Sequence, residues 1–157
     1  MGEIEIIEVE SIKVIGIRKT GGYHEIPNLF MSLVHHAMAN NIQLKGPAIF
    51  VSHERSEEEA MKAMAENNAD LEAAFPIAGD IAPETDEIKC YELPGGTVAK
   101  MVHKGPYDSM GPAYSRLFAW MAENGKELKG DLRELYWNSP REVPPEELLT
   151  EIHAPIG

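Results

Sequence analysis

Hydrophobic and polar positions along the chain describe a strand followed by a helix, and they do so twice. Residues 12–19 and 97–103 are rich in β-branched and apolar side chains and lead into a glycine, as strands that end in a turn do. Apolar residues at helical spacing follow each strand. They are Ile26, Leu29, Phe30, Leu33, Val34 and Ala37 in the first case, and Met110, Ala113, Tyr114, Leu117, Phe118 and Met121 in the second. The pattern predicts two strand–helix units.

Further strands complete each unit. Short runs of β-branched and apolar residues, bounded by turn-forming residues, predict two strands after each helix and one before each unit. Their ranges are 48–53, 70–75, 132–138 and 148–153 after the helices, and 4–8 and 88–93 before the units. A short surface helix is expected over 57–66, and Gly95-Gly96 is expected to turn a hairpin between the strands that flank it.

The two halves also match in sequence. Residues 14–23 resemble residues 98–107, which lie 84 positions later. Farther along, residues 72–77 resemble residues 151–156 at an offset of 79, so the first half carries five extra residues, placed within 53–68. A chance match seldom keeps one register through two strands and a helix, and we therefore predict an internal duplication.

An α+β fold follows from this duplication. We expect a single domain over residues 1–157, with copies at about 4–77 and 88–156 and a linker at 78–87. Neither β-α-β-β unit buries its sheet face alone, so the two units should join about a pseudo-twofold axis into a continuous antiparallel sheet with both helices on one face. A central ligand groove is then expected near the axis, on the face opposite the helices.

Positions at which the two halves differ are candidates for function. Phe50 of the first half corresponds to Glu134 of the second, and Ser52 corresponds to Tyr136. Strand periodicity puts Glu134 and Tyr136 on one face. A carboxylate beside an aromatic ring suits a cation with an apolar body, and a partly desolvated carboxylate is also suited to acid–base chemistry. The alternative is a solvated glutamate at a sheet edge, paired with an arginine.

Other polar and aromatic residues are weaker candidates for the same site. Tyr107 follows the glycine of the second strand–helix turn and is a candidate for the lining of the cleft, and Glu151 is a second candidate acidic residue. Tyr114 falls on the apolar stripe of its helix and is expected in the core. Together, the predicted ligand-binding residues are Phe50, Tyr107, Glu134, Tyr136 and Glu151.

Composition narrows the classes of function. The 157 residues carry 14 basic and 26 acidic side chains, a net charge of −12 that argues against direct nucleic-acid binding. No apolar stretch reaches the length of a membrane span, and the first residues do not have the pattern of a signal peptide. Cys90 is the only cysteine and the six histidines show no metal-ligand spacing, so neither metal nor cofactor is predicted. A cytoplasmic location is expected.

Several segments of the second half together resemble the gyrase-inhibitor-like (GyrI-like) small-molecule-binding family. They are Lys104-Gly105-Pro106-Tyr107, Phe118-Ala119-Trp120, Glu123-Asn124-Gly125, Arg133-Glu134-Leu135-Tyr136 and the run from Leu149 to Pro155. That family includes the effector-binding halves of some AraC-type and MerR-type transcription activators. The resemblance implies a central groove that binds cationic or aromatic compounds, with Glu134 as its buried glutamate, Tyr107 and Tyr136 in its aromatic lining and Glu151 as its second acidic position.

Three functions remain open at this stage. The leading interpretation is multidrug-type binding of cationic or aromatic small molecules, as a sensor, sequestering or drug-resistance protein rather than an enzyme. The first alternative is a hydrolase of strained, cyclopropane-bearing electrophilic toxins, in which Glu134 and Tyr136 would be catalytic, since the resemblance extends to such enzymes. The second alternative is an inhibitor of a gyrase-like enzyme, which requires a protein partner. The chain begins at its first strand, so any part in transcription regulation is expected to be indirect.

Overall fold

Over the residues that the structure describes, the fold is α+β, as predicted, with one eight-stranded antiparallel sheet and three α-helices. A computed structural model describes residues 3–54, 56–79 and 82–157. In chain order the elements are β1 Ile4–Val9, β2 Ile12–Gly21, α1 Ile26–Ala39, β3 Ala48–Ser52, α2 Glu57–Glu66, β4 Ala69–Pro76, β5 Ile88–Leu93, β6 Gly96–Lys104, α3 Met110–Glu123, β7 Leu132–Tyr136 and β8 Leu149–Pro155. Within the described ranges, no helix has the length and apolar character needed to cross a membrane.

The sheet is arranged symmetrically about its centre. Its strand order is β1-β6-β8-β7-β3-β4-β2-β5, so β3 and β7 are the central pair. The bounds of α1 and α3 lie 84 positions apart, as do the first residues of β3 and β7 and those of β1 and β5. This offset is the one found in the sequence. The same strands and the same long helix follow one another in both halves, whereas α2 has no α-helix as its counterpart in the described residues of the second half. The internal duplication stays a prediction, which these bounds support.

The first strand of each half pairs with the other half. β1 lies beside β6, with Ile4 opposite Met101, and β5 lies beside β2, with Ile12 opposite Leu93. The expected hairpin at Gly95-Gly96 was therefore wrong, because β5 and β6 belong to opposite ends of the strand order. Sequence alone identified a tight connection there but not the partners of the strands that it joins.

Two short connections pass each other in contact where the strands exchange partners. Two residues join β1 to β2 and two join β5 to β6, and two residues span only about 10 Å between their flanking positions. The outer strand pairs therefore meet at this end, and the sheet must curve strongly. At the crossing, a side chain on Gly95 would lie 2.4 Å from the carbonyl oxygen of Val9. Glycine is required there because two backbones pass in contact.

Helices α1 and α3 cover the two halves of the same sheet face. Leu29 and Leu33 of α1 are buried with residues of β2 and β4, whereas Leu117 of α3 is buried with residues of β6 and β8. A separate cluster that includes Val14 and Ile49 is buried on the opposite face. The central strands β3 and β7 thus lie between the helices, and the groove opens on the helix side. Its expected position on the opposite face was wrong, because side chains already fill that face.

Candidate functional site

A cavity of about 1190 Å³ lies between α1 and α3 above the central strands. Its lining is mainly apolar and aromatic, as in pockets that hold small organic ligands. Lining side chains include Ile26, Phe30, Met31 and Val34 of α1, Met110, Tyr114 and Phe118 of α3, Ala60 and Met64 of α2, and Phe50, Glu134 and Tyr136 of the central strands. Residues 137–142, which follow β7, complete the rim.

Glu134 is the charged group on the sheet side of this cavity. In β7, successive side chains alternate between faces, so Glu134 and Tyr136 both point to the helix side. The Tyr136 hydroxyl donates a hydrogen bond to Oε1 of Glu134 at 2.6 Å. The Tyr114 hydroxyl donates a second hydrogen bond, from α3, to Oε2. Each carboxylate oxygen is therefore held by one phenol, which fixes the orientation of the group.

Opposing influences act on the protonation of Glu134. Burial raises its pKa above the ordinary carboxyl range, and the hydrogen bonds from Tyr114 and Tyr136 together with nearby His103 offset part of this rise. Burial and the neighbouring carboxylate also raise the pKa of Tyr114 and of Tyr136. The two phenols consequently remain donors, and Glu134 is the member of this trio that ionises at the lowest pH.

Aromatic rings surround the carboxylate. The ring of Tyr136 makes edge-on contacts with Phe30 at 5.8 Å and with Tyr107 at 5.5 Å, measured between ring centroids. Phe30 in turn packs against Phe75 at 5.6 Å. Among these four rings, the first half contributes the phenyl groups of Phe30 and Phe75, and the second half contributes the phenols of Tyr107 and Tyr136. Such a pocket can hold a flat apolar body on one side and a positive charge on the other.

Four of the five predicted residues meet at this site. Phe50, Tyr107, Glu134 and Tyr136 all line the cavity. Glu151 does not, because it pairs with Leu135 in the neighbouring strand and therefore points to the other face of the sheet. There its carboxylate contacts Nε2 of His153 at 2.5 Å, and the hydrogen bond from His153 lowers the pKa of Glu151.

Tyr114 is the site residue that the sequence analysis placed in the core. The apolar stripe of α3 that includes Tyr114 does face the core, but the Tyr114 hydroxyl reaches Glu134. A signal was present, since the residue 84 positions earlier is Phe30, so the first half has phenyl groups where the second half has a phenol and a carboxylate. Comparing the halves along their helices as well as along their strands would have identified it.

A second polar cluster lies on the opposite face of the sheet. His53 connects Oε1 of Glu72 at 2.7 Å with Oδ2 of Asp131 at 3.0 Å, and the Tyr91 hydroxyl donates to Oε2 of Glu72 at 2.7 Å. Tyr91 reaches Glu72 across Gly16, where a side chain would collide with its hydroxyl. These contacts join strands of both halves. Across the described ranges, no group of three or more acidic, histidine or cysteine side chains is suited to hold a metal ion.

Relatives with a described role share part of the sequence. A DNA gyrase inhibitor of Edwardsiella piscicida is 34% identical over 67 residues, 42% of each chain, and one of Edwardsiella ictaluri is 42% identical over 50 residues, 31% of each chain. The matched part of this chain thus spans less than half the length of either relative. Their activity is not transferred to the chain on this basis.

Solved structures with the same fold cover the chain almost completely. The C-terminal domain of EcmrR has a TM-score of 0.83 at 24% identity, over 99% of this chain and 97% of that domain. A hydrolase from Listeria innocua has a TM-score of 0.69 at 15% identity, over 99% and 92%. SAV2435 bound to tetraphenylphosphonium has a TM-score of 0.61 at 13% identity, over 99% and 94%. At these identities the likeness concerns the fold alone.

The family assignment rests on a match over nearly the full sequence. A family model described as the GyrI-like small molecule binding domain matches residues 2–156. The strand order, the two flanking helices and the pocket between them all lie inside this match. The chain therefore belongs to the GyrI-like family of small-molecule-binding domains.

Proposed function

We propose that the chain binds cationic aromatic small molecules in the pocket between α1 and α3, with the Glu134 carboxylate as the charge partner. The observation that carries this proposal is the environment of Glu134, which lies in an aromatic pocket with each oxygen held by a tyrosine hydroxyl. Binding of this kind fits a sensor, a sequestering protein or a drug-resistance factor.

Physical chemistry favours a cation over a neutral ligand here. Glu134 is buried, so the attraction between its ionised carboxylate and a cation is screened less than at the surface. The faces of Tyr136, Tyr107 and Phe30 add cation–π attraction and apolar contact. A neutral molecule of the same shape makes the apolar contacts but gains neither the cation–π attraction nor the attraction to the carboxylate. A similarly folded protein, SAV2435, was solved with tetraphenylphosphonium, which supports this ligand class.

Titration with tetraphenylphosphonium tests the proposal. Glu134→Gln should weaken binding by about 1.5–3 kcal/mol, or roughly 10- to 150-fold, because it removes a desolvated charge while keeping the shape. Glu151→Gln is the matched control, since it removes the same charge from the opposite face, and its affinity should stay within about twofold. Triphenylphosphine oxide, a neutral aromatic compound, should bind both variants and the wild type alike. Equal affinity of wild type and Glu134→Gln for the phosphonium ion would refute the proposal.

Hydrolysis is a second candidate function that the same geometry supports. A carboxylate of raised pKa next to two phenol donors is suited to activate water and to protonate a leaving group. A hydrolase from Listeria innocua shares the fold. The test is turnover of a cyclopropane-bearing alkylating agent followed by chromatography. Consumption that disappears in Glu134→Gln would establish catalysis, whereas saturable binding without consumption would leave binding as the function.

Inhibition of a gyrase-like enzyme is proposed only from the two Edwardsiella relatives. Its test is a DNA supercoiling reaction containing purified gyrase and increasing amounts of the protein. Dose-dependent loss of supercoiling would support a protein partner. Unchanged supercoiling at a large excess of the protein would exclude this role.

A further inference from the structure

A second carboxylate lies in the wall of the same cavity. Glu54, two residues beyond the end of β3, lines the pocket. The Tyr23 hydroxyl donates to its Oε1 at 2.8 Å, and the backbone N–H of Asp70 donates to its Oε2 at 3.1 Å. These partners are neutral. Tyr23 also packs edge-on against Phe50, with ring centroids 6.4 Å apart, and Phe50 is the direct strand partner of Glu134.

The residue that corresponds to Glu54 in the second half makes a similar hydrogen bond to the backbone of the next strand, but it carries no charge. The residue 84 positions after Glu54 is Asn138, which also lines the pocket. The Oδ1 of Asn138 accepts a hydrogen bond from the backbone N–H of Leu149 at 2.9 Å, and Leu149 corresponds to Asp70 at the offset of 79. In the second half, a neutral amide therefore makes the hydrogen bond to the backbone of the next strand. The same hydrogen bond in the first half does not require the negative charge of Glu54, and this charge lies in the pocket.

The charges of the lining residues point to the same conclusion. Among the described residues that line the cavity, three are carboxylates, Glu54, Glu134 and Glu142, and one is a guanidinium, Arg141. Burial raises the pKa of the Tyr23 hydroxyl, and the hydrogen bond to Glu54 and the charges of Glu54 and Glu134 raise it further, so both charges act at one point in the pocket. A ligand with a single positive charge at Glu134 leaves the charge of Glu54 without a cationic partner in the bound molecule.

We propose that Glu54 and Glu134 form two anionic subsites of one pocket, which selects elongated aromatic dications. This inference rests on the proposed function and specifies its ligand class. Glu54 follows Phe50 by four residues, so the two carboxylates are separated by at most roughly 13 Å along the strand direction, plus the reach of their side chains. Bis-amidines with two benzamidine rings on a short alkyl linker match this requirement, because an amidinium group can donate two hydrogen bonds to one carboxylate.

The experiment compares 1,5-bis(4-amidinophenoxy)pentane with an analogue of equal length in which one amidine is replaced by a neutral amide. Calorimetry on the wild type should show that the dication binds at least tenfold more tightly. Glu54→Gln should remove this preference, and it should weaken tetraphenylphosphonium binding less than Glu134→Gln does. The variant should fold, because Asn138 shows that an amide serves at the equivalent position. Glu142→Gln, a change of the same charge at the exposed rim, is the matched control and should preserve the preference.

Each outcome bears on one proposal. Equal affinity of the two compounds for the wild type, or an unchanged preference in Glu54→Gln, would overturn the inference. An equal loss of the preference in Glu142→Gln would also overturn the inference, because the overall negative charge of the pocket, rather than a specific contact with Glu54, would then cause the preference. Glu54→Asp keeps the charge and should retain the preference. If tetraphenylphosphonium binds and depends on Glu134 while the dication shows no preference, only this inference fails. If tetraphenylphosphonium itself does not bind, the proposed function fails.

Discussion

Phe50 and Glu134 are direct partners in the central antiparallel strands, and they are also 84 positions apart in the sequence. Each is thus the counterpart of the other in the two halves, and the approximate twofold axis of the sheet passes between them. Directly opposed side chains in such a pair lie within about 5 Å of each other at their Cβ atoms. A scaffold that is nearly symmetric therefore carries, at its centre, a phenyl group on one side and a carboxylate on the other.

The affinity for cations should depend on pH through Glu134. Its raised pKa means that the free protein holds a proton at this site to a higher pH than an ordinary carboxyl group would. A bound cation favours the ionised form, so binding must release this proton when the pH lies near or below that pKa. Tetraphenylphosphonium affinity should fall as the pH is lowered, and calorimetry in two buffers of different ionisation enthalpy should detect proton release.

Glu134→Gln provides the control for this pH dependence. The variant cannot release the proton, so its weaker binding should lose the buffer-dependent enthalpy. A wild-type affinity that stays constant from acidic to neutral pH would contradict the assignment of Glu134 as the charge partner.

The stability of the ligand-free protein should respond to Glu134 in the opposite sense from Glu151. The folded-state pKa of Glu134 is raised, so the stabilisation associated with its proton is full at low pH and is lost as the pH rises through that pKa. Glu134→Gln avoids this loss and should raise the melting temperature by a few degrees at neutral pH, with the gap closing in acid.

Glu151 supplies the matched comparison. Its pKa is lowered by the hydrogen bond from His153, so its contribution is present at neutral pH and is lost as the pH falls. Glu151→Gln should accordingly lower the melting temperature at neutral pH. Scanning calorimetry of both variants at several pH values measures the direction of each change. A lower melting temperature for Glu134→Gln at neutral pH would mean that the hydrogen bonds of Glu134 stabilise the protein by more than the burial of its charge destabilises it.

Tyr114→Phe should shift the titration of the site. The change removes one hydrogen bond to the ionised form of Glu134, so the pKa of Glu134 should rise further and the pH at which cation binding weakens should move upward. Tyr23→Phe removes a phenol hydroxyl from Glu54 instead and is the control, with little expected shift. Affinity measured across a pH series distinguishes the two variants, and identical curves would show that the Tyr114 contact does not control Glu134.

Gly95→Ala should disrupt the crossing of the two strand connections. Its new methyl group would lie 2.4 Å from the carbonyl oxygen of Val9 and 2.6 Å from the backbone nitrogen of Ser11, so backbone must move. We expect a loss of about 1–3 kcal/mol in the free energy of unfolding. Gly111→Ala is the control, because nothing lies within 4 Å of its added carbon and the residue is in α3.

Urea denaturation measures both glycine variants. The control should stay within about 0.5 kcal/mol of the wild type, because Gly111 lies in the first turn of α3, before Pro112, rather than inside the helix. Wild-type stability in Gly95→Ala would show that the two connections have room to separate.

Local sequence patterns predicted the elements, their order and several residues of the candidate site. Periodicity established that Glu134 and Tyr136 share a face, because alternation in a strand depends only on local backbone geometry. Comparison of equivalent positions singled out Glu134, because the two halves differ there in charge. Both inferences need only residues that are close in sequence, or a register that the sequence itself displays.

Which groups meet across the fold is visible in the three-dimensional structure and not in the sequence pattern. The structure placed the pocket on the helix side, brought the Tyr114 hydroxyl to Glu134, moved Glu151 to the opposite face and brought Glu54 into the cavity wall. It also paired β1 with β6 and β5 with β2, so that the first strand of each half lies beside a strand of the other half. These outcomes depend on how the helices pack on the sheet and on which strand edges pair. Contacts between residues distant in sequence govern both, and local periodicity carries no information about them.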